Sequence, residues 1–388
     1  MAIPKITFKV AGDGLGRVSQ AVQKVPALII TGTPFSKKLV LGKVYQVFSI
    51  KNIIELGITE GSLNDFAYKH LKAFYDEAGQ GTPLWFMLVS DATTVTELFV
   101  NTNPFAKKLI EEAKNIRVLG VCKKSLGTEI IAGGMDTDLL SAVVMAQDLA
   151  DHFSSKYYPF KIILSGNSFD GNIQSLKNYS QAELKDVNLF IANDDGAPEA
   201  SIGLCLGRQA RIPTQRRQNR IKDGALVPLQ AYFTSGEKVE SLIDAWDILD
   251  DMHYTFLRNF PNRSGYYLSG ERTLISNDSD FSTLAPGFVM NEAVLIAHDV
   301  LVEELSDEIP FTANGYIHPA VIKSWQGKIE TNIKQQMFDV GKISGVKAII
   351  SEDQNVAQDD TLVIELKIQP VGYADFIEVN IGFTTNLE

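Results

Sequence analysis

Apolar residues are grouped along the chain in two patterns, and the patterns predict different elements. Short apolar runs, typical of buried strands, lie at 25–30, 84–89, 116–121, 160–165 and 187–192. Stripes with helical spacing lie between them, at 64–78, 106–114 and 136–153. Strands that alternate with helices predict a parallel sheet with crossover helices, so the expected fold class is α/β.

The last third of the chain has a different pattern. Long helices are predicted at 284–305 and at 318–341, followed by strands in VKAIIS and LVIELKIQP. The second helix has an apolar stripe, which we expect to face inward, made of Ile322, Trp325, Ile329, Ile333 and Met337. Lys323, Lys334 and Lys328 are then expected on its exposed side, either as a solvated face or as a contact with a partner.

Both ends of the chain carry strand-like alternation of apolar and polar residues. The apolar positions are Ile6, Phe8 and Val10 at one end and Ile377, Val379, Ile381 and Phe383 at the other. An isolated strand is only marginally stable in water. We therefore expect residues 5–10 and 376–383 to be extended strands that pair with the sheets of neighbouring subunits.

Composition excludes several classes of protein. Hydrophobic residues make up 45% and charged residues 21% of 388 residues, which excludes a disordered or collagen-like chain. The net charge of −11 argues against nucleic acid as a partner. Two cysteines, Cys122 and Cys205, form no disulfide framework, and an intracellular origin fits them. No secretory leader and no uninterrupted apolar run of about 20 residues is present, so membrane insertion is not expected.

Common catalytic and cofactor motifs are missing or incomplete. The glycine-rich segment 12–17 lacks the full dinucleotide spacing and precedes a strand rather than a helix. The five histidines are scattered without a local ligand pair, so no metal and no cofactor is expected. Ser168 lacks the second glycine of a nucleophile elbow, and Cys122 is interpreted as a small core residue.

Two polar features leave alternatives open. Asp194 and Asp195 follow a strand, where they form either a polar turn or a ligand site at the carboxyl edge of a doubly wound sheet. The second alternative is a small-molecule enzyme. Arginines are concentrated in segment 208–222, which is either a solvated loop or a contact with an acidic partner, such as another copy of this chain.

Several segments resemble the contractile tail sheath proteins of bacteriophages and related injection machines. The matching segments are VPALIITGTP, GKVYQVFSIKNIIELGI, NDFAYKHLKAFYDEAGQGTPLWFMLV, GYYLSGERTLISNDSDFSTLAPGFVMNEAVLIAHDVL and GVKAIISEDQNVAQDDTLVIELKIQPVGYADFIEVNIGF. Together they cover roughly 20–100 and 265–388. The order at the carboxyl end, helix, Asn-containing turn, long strand, proline break and last strand, is the order in which sheath proteins end.

The resemblance implies a structural protein rather than an enzyme. It implies a subunit that polymerises helically around an inner tail tube and contracts to drive the tube through a target envelope. The implied partners are copies of itself, the inner tube protein, and baseplate and tail terminator proteins. The implied location is a virion tail assembled in the bacterial cytoplasm, or a cytoplasmic contractile injection system.

The resemblance also implies a division of the chain. An α+β assembly domain is expected at 19–104 and 262–372, with an inserted α/β middle domain at 105–261. Extended arms are expected at 1–18 and 373–388. The helix that carries Lys323, Lys328 and Lys334 is expected to face the inner tube.

Overall fold

A computed structural model describes residues 24–100, 105–304, 308–354, 356, 361–379 and 381–382 of the chain. They belong to two compact units, which we call unit 1 (residues up to Leu284) and unit 2 (residues from Ala285). The amino-terminal positions Ile6, Phe8 and Val10, and Phe383 at the other end, lie outside the described residues. Their proposed strands remain predictions.

Unit 1 combines helices and strands in alternation. Its helices are α1 (Ile50–Glu55), α2 (Asp65–Ala78), α3 (Val95–Phe99), α4 (Phe105–Ala113), α5 (Thr137–Ser154), α6 (Ile202–Arg211) and α7 (Trp246–Asp251). Its strands are β1 (Pro26–Thr31), β2 (Val44–Val47), β3 (Leu84–Val89), β4 (Val118–Cys122), β5 (Ile131–Ala132), β6 (Met135–Asp136), β7 (Lys161–Ser165), β8 (Glu183–Leu184), β9 (Val187–Phe190), β10 (Ala192–Asn193), β11 (Tyr232–Phe233), β12 (Tyr254–Thr255), β13 (Leu257–Phe260), β14 (Arg263–Leu268) and β15 (Leu274–Ile275).

Seven of these strands form one sheet in the order β12-β9-β7-β4-β1-β3-β2. All neighbours are parallel except β2 and β3, which are antiparallel. All residues of β1, β4, β7 and β9 are buried, because helices cover the faces of a parallel sheet. The predicted α/β class is therefore confirmed.

The sheet crosses a boundary that the sequence placed between two domains. β1, assigned to the assembly domain, pairs with β3 on one side and with β4 of the middle domain on the other. The chain divides into its two compact units between Leu284 and Ala285. The boundaries predicted at 104/105 and 261/262 stay predictions, and backbone hydrogen bonds of one sheet run across the first of them.

The helix ends in unit 1 follow from local chemistry. Asp136 caps α5, since its carboxylate accepts a hydrogen bond from the backbone N–H of Asp138 at 3.0 Å. α2 ends at Gly79, whose φ of 88° is a conformation that glycine adopts readily. Both ends are at the positions that the sequence predicts.

The described residues of unit 2 contain two α-helices and one strand pair. α8 spans Leu284–Leu301, α9 spans Pro319–Ile333, and a π-helical turn continues α9 over Lys334–Phe338. β16 (Ile343–Ile349) and β17 (Glu365–Pro370) are antiparallel. The predicted inward stripe is confirmed, because its members Ile322, Trp325, Ile329, Ile333 and Met337 are all buried.

α8 lies in a long and strongly apolar segment of the chain. The segment Leu284–Glu304 is long and apolar enough to cross a membrane by length and composition alone, and 39% of its most apolar 18-residue window is buried. Core helices of water-soluble proteins pass the same test. Here Val289, Ala293 and Ile296 of α8 pack with residues of α9, β16 and the π-helical turn in the core of unit 2.

Candidate functional site

A groove of unit 1 lies at the carboxyl edge of the seven-stranded sheet. It has a volume of about 590 Å³ and lies between α2, α6 and the segments that follow β4 and β10. β1 lies between β3 and β4. The chain therefore builds the sheet outward from β1 in both directions, and the connections on the two sides of β1 run in opposite directions. Ligands of open α/β sheets bind at such a reversal. The groove is therefore where the enzyme alternative must be judged, and it contains Asp194 and Asp195.

Asp194 and Asp195 have structural partners within the groove. The Asp194 carboxylate accepts a hydrogen bond from the Ser201 hydroxyl at 2.8 Å. Asp195 forms an ion pair with Lys69 at 3.3 Å, and both side chains are well exposed. Asn193 accepts a hydrogen bond from the Gly196 backbone at 2.8 Å, which closes a polar turn. The turn interpretation of this segment describes the geometry.

His70 lines the groove and, behind it, meets a cysteine that the sequence did not connect with it. His70 of α2 lies 3.5 Å from the thiol of Cys122 at the end of β4, and both side chains are buried. Burial lowers the pKa of His70 to about 4 and raises the pKa of the Cys122 thiol. Both groups are therefore neutral near pH 7, whereas a nucleophilic pair requires a thiolate. The expectation that Cys122 is a core residue is confirmed.

One wall of the groove depends on an unusually close contact between α2 and α6. A Cβ atom added to Gly203 would lie 1.8 Å from the backbone oxygen of His70. One added to Gly207 would lie 2.7 Å from the backbone oxygen of Phe74. α6 also packs on the sheet, where a Cβ atom on Gly120 would lie 2.6 Å from Ile202. α6 is thus an inner helix enclosed between α2 and the sheet.

A buried charge pair joins the same two helices. Glu77 of α2 is fully buried, and its carboxylate lies 2.7 Å from the guanidinium of Arg208 on α6. Arg211 donates a hydrogen bond to the same carboxylate at 3.2 Å. Two cations thus share one buried acceptor, which compensates the cost of burying Glu77 and Arg208.

The arginine-rich segment therefore has partners within its own chain. Arg216 and Arg220 lie 3.2 and 2.7 Å from the carboxylate of Asp223, and Arg208 and Arg211 meet Glu77. Neither a fully solvated loop nor a contact with an acidic partner describes these four side chains. The sequence analysis also missed helix α6, for which the spacing of Gly203 and Gly207 by one helical turn was the available signal.

The predicted contact residues of unit 2 are exposed. Of the carboxyl-terminal positions, Ile377, Val379 and Ile381 are 79%, 68% and 92% exposed, and no strand includes them in the described part of the chain. Neighbouring Phe376 is 94% exposed. Exposed apolar side chains of this size are a feature of interaction surfaces in general.

The three predicted tube-contact lysines differ in their surroundings. Lys328 forms an ion pair with Glu304, which also accepts a hydrogen bond from the Trp325 indole at 2.7 Å. These two donors lower the pKa of Glu304. Lys323 contacts Gln326 at 3.2 Å, and the Lys334 ammonium lies 5.8 Å from the ring centre of Phe338. All three are exposed, but Lys328 already has an acidic partner.

Comparison with known proteins gives one family and a shared fold. The model of the family described as "DUF2586, N-terminal domain" matches residues 3–272. One similar solved chain comes from a cryo-EM structure of the anti-feeding prophage baseplate, 6-fold symmetrised, with a TM-score of 0.65 and 15% identity over 99% of this chain and 100% of that chain. A second comes from the same baseplate in the contracted state, with a TM-score of 0.62 and 15% identity over 100% and 99%.

No curated protein matches the sequence. At 15% identity the structural likeness is one of fold, and it extends over the whole length of both chains. It confirms, at the level of the fold, the resemblance to proteins of contractile particles.

Proposed function

This chain belongs to the DUF2586 family, and we propose that it is a structural subunit of a contractile injection particle. The observation that carries the proposal is the full-length fold match to chains of a contractile baseplate, at TM-scores of 0.65 and 0.62. A single shared domain would be weak support, because common folds serve many functions. Here both compact units lie within the matched length.

The finer proposal is a sheath-type subunit that assembles with copies of itself around an inner tube. The sheath-like segments of the sequence support it, and so does the exposed apolar arm after β17. Heterologous contacts between identical chains generate rings or helical arrays. The same subunit would then also contact the baseplate, the tube and the tail terminator, in a phage tail or in a related injection particle.

We propose further that the arm pairs with a neighbouring subunit. Phe376 and Ile377 expose most of their surface in the single chain, and burial of that surface favours association. An extended segment added to another sheet also satisfies its own backbone groups. A flexible link of this kind tolerates large rotations of the bodies it joins, as contraction requires.

The proposed role is structural rather than catalytic, and the chemistry in and beside the groove of unit 1 supports this. The neutral His70–Cys122 pair lacks the thiolate that a nucleophile needs. Asp194 accepts from Ser201, and Asp195 is paired with Lys69. These contacts maintain a turn, so the enzyme alternative has no activated group at its predicted position.

Electron microscopy of the purified full chain tests the structural proposal. We expect rings, tubes or other large homopolymers, with light scattering that rises with protein concentration. A small discrete oligomer at every concentration, both alone and with the tube protein, contradicts a sheath-type subunit.

The tube contact has its own test, because the lysines are not equivalent. We propose that Lys323 and Lys334 contact acidic groups of the tube, whereas Lys328 forms its ion pair with Glu304 of the same chain. Exposed ion pairs contribute about 0–1 kcal/mol each, so the effect becomes visible only through repetition along the particle. Lys323→Glu with Lys334→Glu should release the tube at lower salt, with Lys328→Gln as the control. The contact is contradicted if the parent, the double variant and Lys328→Gln all retain the tube to the same salt concentration.

A further inference from the structure

The two ends of the seven-stranded sheet in unit 1 carry opposite charges. β2 forms one edge of the sheet and β12 forms the other. With a spacing of about 4.8 Å between neighbouring strands, these two edges lie about 29 Å apart. α7 ends two residues before β12 and packs beside it, so the surface of α7 belongs to the second edge.

The edge formed by β2 is basic and apolar. Residues 35–54 contain no acidic residue and four lysines, all of them exposed: Lys37, Lys38, Lys43 and Lys51. Large apolar side chains lie among these lysines and are 44% to 48% exposed: Phe35, Val40, Phe48 and Ile54. We call these eight residues the basic face.

Local contacts connect the parts of the basic face. The Tyr45 hydroxyl of β2 donates a hydrogen bond to the carbonyl oxygen of Lys38 at 3.1 Å and accepts one from the N–H of Val40 at 2.8 Å. Phe35 packs against the turn after α1, where a Cβ atom added to Gly57 would lie 2.3 Å from its ring. The turn at 35–40 is therefore fixed against both β2 and the end of α1, and the basic face is one surface.

The edge formed by β12 and α7 is acidic and apolar. Residues 240–251 contain five acidic residues and no basic one. Two of the five have partners in their own chain, since Asp250 forms an ion pair with Arg272 at 2.6 Å and Glu240 accepts a hydrogen bond from Tyr266. The other three are exposed, and two isoleucines beside them are 54% and 51% exposed. These five residues, Asp244, Asp247, Asp251, Ile243 and Ile248, are called the acidic face.

We propose that the basic face of one copy of the chain binds the acidic face of a second copy. A single chain cannot join its own two faces, because the width of the sheet separates them. A contact between two different faces leaves one face free on each partner, so a third copy can add in the same way and a ring or helical array results. The inference rests on the structural subunit proposed above and adds to it a contact in unit 1 that is separate from the arm.

Charge and apolar surface contribute to this contact in different ways. A chain with a net charge of −11 repels its own copies, and the basic face is a local surface where a second copy is attracted instead. Opposite charges also select the orientation, because two basic faces or two acidic faces would bring like charges together. Burial of Phe48 and Ile54 against Ile243 and Ile248 then supplies affinity that salt does not screen.

Zero-length chemical crosslinking of the full-length protein tests this inference. Isotope-labelled and unlabelled protein are mixed in equal amounts and treated with a carbodiimide, which joins a lysine amine directly to a carboxylate. We expect mass spectrometry to find links between residues 37–51 and residues 244–251 in which one peptide is labelled and the other is not. Lys72 and Asp76, 2.5 Å apart on α2, provide the control for the reaction, because their link stays within one copy. If that link forms and no mixed-label link joins the two faces, the contact is overturned.

Exchange of charges between the faces separates ion pairing from other effects. Lys43→Glu with Lys51→Glu should lower the yield of mixed-label links about tenfold, because acidic side chains then meet the acidic face. Asp244→Lys with Asp251→Lys should lower it by a similar factor. A chain with all four substitutions has opposite charges on its two faces again, so the yield of links between the same two peptides should return to within about threefold of the parent.

Lys156→Glu with Lys222→Glu is the matched control, because it reverses two exposed lysines of unit 1 that belong to neither face. It should leave the yield unchanged. A fourfold variant that has parental circular dichroism but does not recover the links overturns the inference.

The proposed structural function is judged separately, by the polymers seen in electron microscopy. Polymers without mixed-label links between the two faces overturn this contact alone. Mixed-label links in a protein that forms only a small discrete oligomer support the contact and contradict the sheath-type subunit.

Discussion

The two units of the chain differ in how many of their strands are paired with a neighbouring strand on both edges. In unit 1, strands β9, β7, β4, β1 and β3 each have a neighbour on both sides. Its buried charges are paired internally, as with Lys161 and Asp186, which lie 2.5 Å apart. Unit 2 has only the pair β16–β17 in the described residues, with the Glu330 side chain hydrogen-bonded to β16 and an exposed apolar arm after β17.

The difference indicates which part of the chain needs a partner. A two-stranded sheet is marginally stable by itself, and helices α8 and α9 cover one side of this one. In the described residues, five strands of the large sheet of unit 1 have neighbours on both sides, whereas both strands of unit 2 have one unpaired edge. We therefore propose that unit 2 carries the strand-pairing contacts of assembly.

Removal of residues 376–388 is expected to have the largest effect on assembly. Polymers should be abolished, because the arm is the proposed link, while the free energy of unfolding should change by less than about 0.5 kcal/mol, because the arm is exposed in the single chain. Light scattering and urea denaturation measure the two quantities. Polymers of parental length from the shortened chain contradict the assignment to unit 2.

Glu77→Gln should cause the largest loss of stability. It leaves the Arg208 guanidinium buried beside a neutral side chain, at a cost of about 3–5 kcal/mol. Asp76→Asn is the control, because its pair with Lys72 is exposed and contributes about 0–1 kcal/mol. Similar midpoints of urea denaturation for the two variants would mean that the α2–α6 contact does not depend on the buried pair.

Acidification should destabilise the chain through His70. The pKa of His70 is about 4 in the folded chain, below the usual 6.5, so the unfolded chain binds more protons between these values. Stability from this group is complete above pH 6.5 and is lost as the pH falls to 4, a difference of about 3 kcal/mol. His70→Gln should remove that part of the pH dependence. Above pH 6.5 the free energy of unfolding should change with pH in the same way in the variant and in the parent. Parallel stability curves between pH 6.5 and 4 would contradict the assignment.

Alanine substitution of two helical glycines compares the two units directly. Gly203→Ala forces α2 and α6 apart and should cost about 1–3 kcal/mol. Gly327→Ala in α9 meets no atom within 4 Å and should stabilise by about 0.5–1 kcal/mol, because alanine favours a helix more than glycine does. Thermal denaturation gives both values. The same sign for both substitutions would contradict the packing described for α6.

Local patterns in the sequence predicted most elements of the fold. The apolar runs of β1 and β3, the stripe of α9 and the cap of α5 each depend on residues close together in the chain. The order of the strands in the sheet depends on distant residues, because periodicity predicts a strand or a helix but not which element lies beside it. The pairing of β4 with β1 across the boundary predicted at residue 105 is therefore a contact that no local pattern indicates.

The candidate site was less predictable for the same reason. Arg208 meets Glu77, which lies far away in the sequence, so a segment that reads as exposed and basic folds inward at that position. All residues of α6 except Arg211 are buried, and the polar residues Arg208 and Gln209 are buried with the apolar ones, so no exposed polar stripe identifies the helix. The exposed arm was predictable, because its alternation at the end of the chain depends on no distant contact.

Hydrogen exchange of the single chain and of the assembled polymer tests the central claim most directly. The account predicts new protection in residues 343–349 and 375–379 of unit 2 on assembly, because a strand from one copy pairs with the edge of another. Strands β1, β4 and β7 of unit 1 should keep the protection that they already have. New protection confined to unit 1, with β16 and the arm exchanging as in the single chain, would contradict the claim that unit 2 is completed by a neighbour.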